Sequence, residues 1–256
     1  MTVCITAISL KDDKVVAVCD RLLSGDIHSI EAAATKIRLL HKTWLVCYAG
    51  DPSHTEPVIN AVKLLMTEKS AGEEVIEAFR TTYRDHRTAC VEQAVLSAFG
   101  MTMKSFLKSG YRSLGDAVFA KTFEDVQCFD LNFSLLVAGW GGSGGRQIFT
   151  IENPGVVSRH AVVGAHAIGE GGHLALGHLY ATYQKYGSIR DVAYRALEAK
   201  FVAEATRSVG PSTLGVVLSK DGTFAEIPYA DIDAMHRLWT TKRAQIDDEI
   251  ASKLTI

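Results

Sequence analysis

The sequence predicts an α+β fold in which two mainly antiparallel sheets lie between layers of helices. Three observations carry this expectation. Short apolar, β-branched runs come in pairs joined by polar turns, the pattern of hairpins. Amphipathic segments of helical period come in blocks between those pairs, so strands and helices do not simply alternate. No stretch rich in proline, serine or charge divides the 256 residues into halves, which predicts a single domain.

The elements follow in order. Val3–Leu10 and Val15–Cys19 form a first strand pair around Lys11-Asp12-Asp13-Lys14. A polar stretch, Ser24–Thr35, leads to a second pair, Lys36–Leu40 and Trp44–Tyr48, joined by His41-Lys42-Thr43. After Ala49-Gly50-Asp51-Pro52 the period changes. From Ser53 to Lys69, Val58, Val62, Leu65 and Met66 share one helical face. Helical character continues over Glu73–Arg87 and again over Cys90–Leu107, with Gly100-Met101-Thr102-Met103 as an interruption. Residues 108–130 are expected to hold a loop and a short helix.

Strands return with Phe133–Ala138 and Gln147–Ile151, around the glycine-rich turn Gly139–Gly145. That turn lacks the lysine of a phosphate-binding loop and precedes a strand, so it reads as a hairpin turn. Asn153-Pro154-Gly155 is a further turn, and Ala161–Ile168 a further strand. Helices are expected over His173–Tyr186 and Ile189–Arg207, a last hairpin over Thr213–Leu218 and Thr223–Ile227, and a charged helix from Tyr229 onward. The domain reading is therefore 1–256 as one unit, with a helical insertion at about 85–130 and a C-terminal helix at about 229–253.

Composition narrows the function. Hydrophobic residues make up 47% of the chain, enough for a substantial core, and the formal net charge is -2. A nucleic-acid binder would show a basic excess, which is absent. Five cysteines without a CxxC spacing argue against a disulfide framework or a zinc site, and Cys4, Cys19 and Cys47 lie in apolar runs as buried thiols would. The histidines His160, His166, His173 and His178 show no metal-ligand spacing, so no metal and no cofactor is expected. There is no basic n-region for a signal peptide and no apolar run long enough to span a bilayer. The expectation is a soluble, cytoplasmic protein.

Four residues carry candidate chemistry. Thr2 becomes N-terminal if Met1 is removed. Its α-amine, with an ordinary pKa of about 7.7–8.0, can then take the proton from its own hydroxyl. Asp20 ends the apolar strand Val15–Cys19, where an inward carboxylate is unusual. Lys36 opens a strand after a polar loop, and an ammonium beside the hydroxyl and the amine would lower both pKa values. Gly50 precedes a helix and lets the backbone approach a reacting carbonyl, where its N–H can meet an oxyanion. Singly, each has an ordinary reading: a common second residue, a solvated strand-end acid, a solvated lysine, a plain turn.

Together they resemble a known family. Val15-Val16-Ala17-Val18-Cys19-Asp20-Arg21, Thr35-Lys36-Ile37 and Tyr48-Ala49-Gly50, at their spacing, are similar to proteasome β-subunits and their bacterial relatives, the N-terminal-nucleophile (Ntn) hydrolases. Leu135-Leu136-Val137-Ala138-Gly139-Trp140 and Ala167-Ile168-Gly169-Glu170-Gly171 resemble that family's later strand and turn. Thr2-Val3-Cys4 and Ser208-Val209-Gly210-Pro211 look most like the bacterial proteasome-related branch. The resemblance implies a four-layer αββα sandwich. It implies Thr2 as nucleophile, Asp20 and Lys36 as its charge partners, and Gly50 N–H as oxyanion donor. Leu23, Ala34, Tyr48 and Pro52 fall where the family lines its specificity pocket, which implies an apolar P1 side chain.

The match has departures. The family's nucleophile stands two residues nearer the acid, a position that belongs to Cys4. A longer turn at Lys11–Lys14 reconciles the two, because two extra residues preserve strand parity. Cys4 is thus a rival nucleophile. Glu170 replaces a usual serine, and the loop Arg207–Ser212 has no aspartate, which leaves Ser208 or Ser212 to support the amine. The implied function is a threonine-type peptide or amide hydrolase in a homo-oligomeric ring or stacked assembly acting on peptides or unfolded protein. An inactive ring or scaffold subunit and a small-amide hydrolase are the alternatives. No nucleic-acid or membrane partner is expected, and an ATP-dependent unfoldase is left open. Apolar residues along Val58–Met66 and Ala89–Phe106 are the expected interfaces.

Overall fold

The structure, a computed structural model, describes residues 2–24, 29–31, 35–67, 70–141 and 145–253, without the side chains of 23, 24, 29–31 and 247–253. Met1 and Ala34 lie outside the described residues, as does the side chain of Leu23.

Side-chain parity builds the layers. β1 (Cys4–Ser9) and β2 (Lys14–Asp20) pair antiparallel, with Cys4 opposite Cys19. They continue into a five-stranded sheet with β10 (Ala165–Ile168), β11 (Thr213–Ser219) and β12 (Phe224–Glu226), in the order β10-β1-β2-β11-β12. A second sheet has the order β5-β6-β7-β8-β9, from β5 (Ile37–His41), β6 (Trp44–Gly50), β7 (Phe133–Trp140), β8 (Arg146–Glu152) and β9 (Val156–Arg159). β3 (Leu22–Ser24) and β4 (Ser29–Glu31) form a small separate hairpin.

Alternate residues of the central strands β1, β2, β6 and β7 face opposite ways, and both ways are dry. Cys4, Ile8, Val15, Ala17 and Cys19 of the first sheet meet Leu45, Cys47, Ala49, Leu136 and Ala138 of the second. The other parity of the second sheet, Trp44, Val46, Tyr48, Leu135 and Val137, packs on Val58, Ile59 and Val62 of α1 (Pro52–Leu65) and Val75, Ile76 and Phe79 of α2 (Gly72–Val91). The other parity of the first sheet, Val3, Ile5, Val16 and Val18, packs on α5 (Gly172–Thr182) and α6 (Ile189–Ala203). This is the expected αββα sandwich. Strands buried on both faces need unbroken apolar runs, which is why their positions are so plain in the sequence.

The helices start where their caps allow. The Asp51 carboxylate accepts from Ser53 N at 2.8 Å, and Pro52 supplies the first helical position of α1. That helix ends at Leu65, short of the expected Lys69, with Met66 N donating to Val62 O to close its last turn. α2 runs into a single π turn (Glu92–Leu96) and a 3₁₀ turn (Ser97–Phe99), and the chain breaks at Gly100, φ +63°. The expected interruption is thus in place. Beyond it lie α3 (Met103–Leu114) and α4 (Asp116–Cys128), so most of the uncertain stretch 108–130 is helical. Val91, Leu96, Phe106 and Val126 form a small cluster of their own beneath these turns.

Three further differences from the sequence reading are local. The β3–β4 hairpin and β9 were not expected; their strands are three or four residues long, and β9 is largely exposed. Of Ala161–Ile168, only Ala165–Ile168 is strand. The chain turns at Gly164, φ +85°, where Gly164 N donates to His160 O. α7 (Tyr229–Lys253) is the last described element.

Candidate functional site

Thr2 precedes β1, and β1–β2 pairing brings Asp20 beside it. Asp20 N donates to Val3 O at 3.3 Å, so the end of β2 lies against the start of β1. Lys36 comes from the other sheet, just before β5, and Tyr48 N holds its carbonyl at 3.1 Å. The two sheets therefore deliver one residue pair and one lysine to a shared end of the sandwich.

There the Thr2 hydroxyl donates to Asp20 Oδ1 and accepts from Lys36 Nζ. Lys36 Nζ also donates to Asp20 Oδ1 at 3.0 Å, to Asp20 Oδ2 at 3.1 Å and to Leu22 O at 2.5 Å. Asp20 is fully buried, and its remaining acceptor capacity is met by backbone: Val3 N at 2.9 Å on Oδ1, Leu22 N at 3.0 Å and Gly210 N at 3.4 Å on Oδ2. A dry carboxylate stays charged only with such partners, and here a cation and three N–H groups supply them. Thr2 and Lys36 are also buried, at 2% and 3% exposure.

Thr2 borders a cavity of about 1140 Å³. Gly50, Asp51, Pro52, Asn132, Gly169 and Glu170 also line it. Gly50 has φ +108°, and a Cβ there would lie 2.1 Å from Asn132 O, so only glycine fits. On the other side a Cβ on Gly169, φ +89°, would lie 2.3 Å from Thr2 O. Gly171 N donates to that same carbonyl at 3.3 Å. The 169–171 turn thus closes directly over the Thr2 backbone, and Glu170 points out of it, exposed, at the cavity.

The other predicted residues are placed as follows. Pro52 lines the cavity, whereas the Tyr48 ring is buried in the core beneath α1 and α2. Burial holds the Tyr48 hydroxyl above its ordinary pKa. Cys4 is fully buried between the sheets, and its thiol donates to Tyr48 O at 3.2 Å. Burial first, and its contact with Cys19 second, push that thiol well above the ordinary range. A thiol so held is a poor source of thiolate, which weighs against Cys4 as nucleophile. Ser208 is buried, and its hydroxyl finds no partner among the described residues, while Ser212 O accepts from Arg21 N at 3.0 Å.

One residue of this neighbourhood escaped the sequence reading. Lys200 on α6 is fully buried and donates to Glu204 Oε1 at 2.5 Å and to Pro211 O at 2.8 Å. It ties down the loop whose Gly210 N reaches Asp20. A signal was present: Ala196, Leu197, Lys200 and Phe201 share helical spacing, so the lysine stands on the apolar stripe.

The fold is that of the proteasome-related Ntn sandwich, with a buried Thr–Asp–Lys cluster at one end. Across all of this chain and 99% of the other, it is similar to the solved structure of Anbu, the Gly-1 mutant from Hyphomicrobium sp. strain MC1, with a TM-score of 0.68 and 13% sequence identity. At that identity the likeness is one of fold. No protein-family model matches the chain, and no curated protein matches it by sequence.

Proposed function

We propose that the chain is a threonine-type amide or peptide hydrolase, a single Ntn domain with a helical insertion. The observation that carries the proposal is the Thr2 hydroxyl held between Asp20 and Lys36 at the edge of a cavity that Gly50 borders opposite. In this reading Met1 is removed and the Thr2 α-amine is free. Thr2 Oγ1 attacks a carbonyl carbon as its proton passes to that amine. The carbonyl oxygen becomes an oxyanion that accepts from Gly50 N–H. The amine returns the proton to the leaving nitrogen, an ester forms on Thr2, and water then releases the acid. Lys36 lowers the cost of alkoxide character on Oγ1, and Asp20 holds Lys36 in place. Cys4, buried and protonated, is a packing residue beside the site.

The same reading assigns the chain to a homo-oligomeric ring or stack that encloses its sites and takes unfolded peptide. The Anbu-like fold supports it, as do exposed apolar side chains on the helices. Leu64 is 88% exposed and Leu65 62%, with Leu107 and Tyr111 also exposed. Val58, Val62 and Met66, by contrast, pack into the chain's own core and are not free to form an interface. No described helix is long and apolar enough to cross a membrane.

Glu170 on the cavity and the carboxylate-free loop 207–212 favour a second reading, a ring subunit of the same fold without peptidase activity. Intact mass with and without a threonine-reactive epoxyketone separates the two. The proposal expects a chain that begins at Thr2 and gains one inhibitor mass, and Thr2→Ala abolishes the adduct. A retained Met1 with no adduct overturns it.

A further inference from the structure

Away from that cavity edge, α1 and α2 bring together three side chains that the proposed hydrolysis does not use. His54 stands in the first turn of α1. His86 and Cys90 stand one turn apart on α2, i and i+4, and so share a face of that helix. All three are half-buried. Among the described residues they are the one group of three histidine, cysteine or acidic side chains whose ligand atoms all lie within 4.8 Å of one another.

The distances within the group are informative. His54 Nδ1 and His86 Nε2 are 3.3 Å apart. Cys90 Sγ is 3.7 Å from His54 Nδ1 and 3.6 Å from His86 Nε2. A tetrahedral zinc ion with Zn–N of about 2.0–2.1 Å and Zn–S of about 2.3 Å has N···N edges of about 3.3 Å and N···S edges of about 3.6 Å. The three atoms therefore already form one face of such a tetrahedron. The two rings meet edge to face, at 64°, which lets one nitrogen of each converge on the sulfur.

We propose that His54, His86 and Cys90 form a zinc site. Two imidazoles and one thiolate are a borderline-soft donor set of the kind zinc takes, unlike the all-oxygen sets of magnesium and calcium. Three protein ligands leave a fourth position, which the half-buried setting opens to water. The ion joins the first turn of α1, four residues after Gly50, to the C-terminal end of α2. It acts there as a clamp between the two helices that cover the second sheet. Binding releases the Cys90 proton to solvent and involves no change of oxidation state.

The test uses the full-length protein, freed of metal and titrated with Co²⁺ and then Zn²⁺. One equivalent of Co²⁺ is expected to give the visible d–d absorption of a tetrahedral site together with a near-ultraviolet thiolate charge-transfer band, and Zn²⁺ to bleach both. Cys90→Ser is expected to abolish the charge-transfer band. His54→Gln and His86→Gln are each expected to weaken zinc binding by at least the roughly 10–100-fold seen when outer-shell partners are lost. Cys128→Ser, an exposed thiol on α4, is expected to change nothing. Zinc is also expected to raise the melting temperature of the unmodified protein and not that of folded Cys90→Ser. Failure of the unmodified protein to take up either metal overturns the proposal. So does a charge-transfer band that survives in Cys90→Ser. If a variant does not fold, the unmodified protein's cobalt spectrum and stoichiometry still decide.

Discussion

Lys36 and Lys200 are two buried lysines built on one plan, yet they sit in different electrostatic company. Each donates to a carboxylate and to a backbone carbonyl: Lys36 to Asp20 and Leu22 O, Lys200 to Glu204 and Pro211 O. Each so satisfies the rule that a buried charge must be paired. The differences are two. Asp20 is fully buried, whereas Glu204 is 20% exposed. And Lys36 has a third partner, the Thr2 hydroxyl, which faces the cavity edge. A buried lysine is therefore not in itself a mark of chemistry. The hydroxyl it reaches is what makes Lys36 a candidate and leaves Lys200 a support.

The largest effect that tests this contrast is on reactivity. Lys36→Met is expected to slow epoxyketone labelling of Thr2 at least about 100-fold, a loss typical of removing a group that stabilises developing negative charge. Lys200→Met is expected to leave labelling within about tenfold, since it acts only through the loop that carries Gly210. Equal losses in the two variants would break the distinction. Next comes stability in urea. Lys36→Met strands a fully buried carboxylate and is expected to cost about 3–5 kcal/mol. Lys200→Met leaves a carboxylate that water can reach and is expected to cost about 1–3 kcal/mol.

A smaller effect is the pH dependence of the Lys200 contribution. Burial lowers the pKa of Lys200 below 10.5, against the pull of Glu204. Between that lowered value and 10.5 the unfolded chain binds more protons at this site than the folded one, so stability at this site rises with pH. The unmodified protein is expected to gain on Lys200→Met across this window, by no more than about 1.4 kcal/mol per pH unit. Taking the difference of the two proteins cancels the buried Tyr83 and Tyr183, whose raised values titrate alike in both. Smallest is Cys4→Ala. It removes a sulfur from a packed core and is expected to cost about 1–2 kcal/mol while leaving Thr2 labelling within about threefold. Loss of labelling there would restore Cys4 as the nucleophile.

How far these features could be read from the chain follows from how each is buried. The central strands of both sheets were legible because each is dry on two faces and so wrote an unbroken apolar run, as in Val15–Cys19 and Leu135–Ala138. The β3–β4 hairpin and β9 were not, because short edges write no such run. α4 was obscure for a related reason. Val118 and Phe123 of that helix are exposed, so its apolar stripe is not confined to a buried face. Asp20, Lys36 and Gly50 stood out through the resemblance of their spacing to that of proteasome β-subunits, since each alone is an ordinary strand-end residue. Lys200 and the His54–His86–Cys90 group were not, because their members meet only after the elements pack.

The amino-acid sequence by itself determined the pattern of alternating strands, the helix blocks and the glycine at position 50, whose positive φ no other residue adopts without strain. Those depend on local periodicity and on backbone conformation, which neighbours in the chain dictate. Tertiary structure alone decided that Asp20 and Lys36, from different sheets, enclose the Thr2 hydroxyl. It alone decided that Cys4 is sealed between the sheets, and that imidazole nitrogens of His54 and His86, 32 residues apart in the chain, stand 3.3 Å apart. Such meetings are set by the packing of whole faces, and burial then fixes which groups must be paired and which stay protonated.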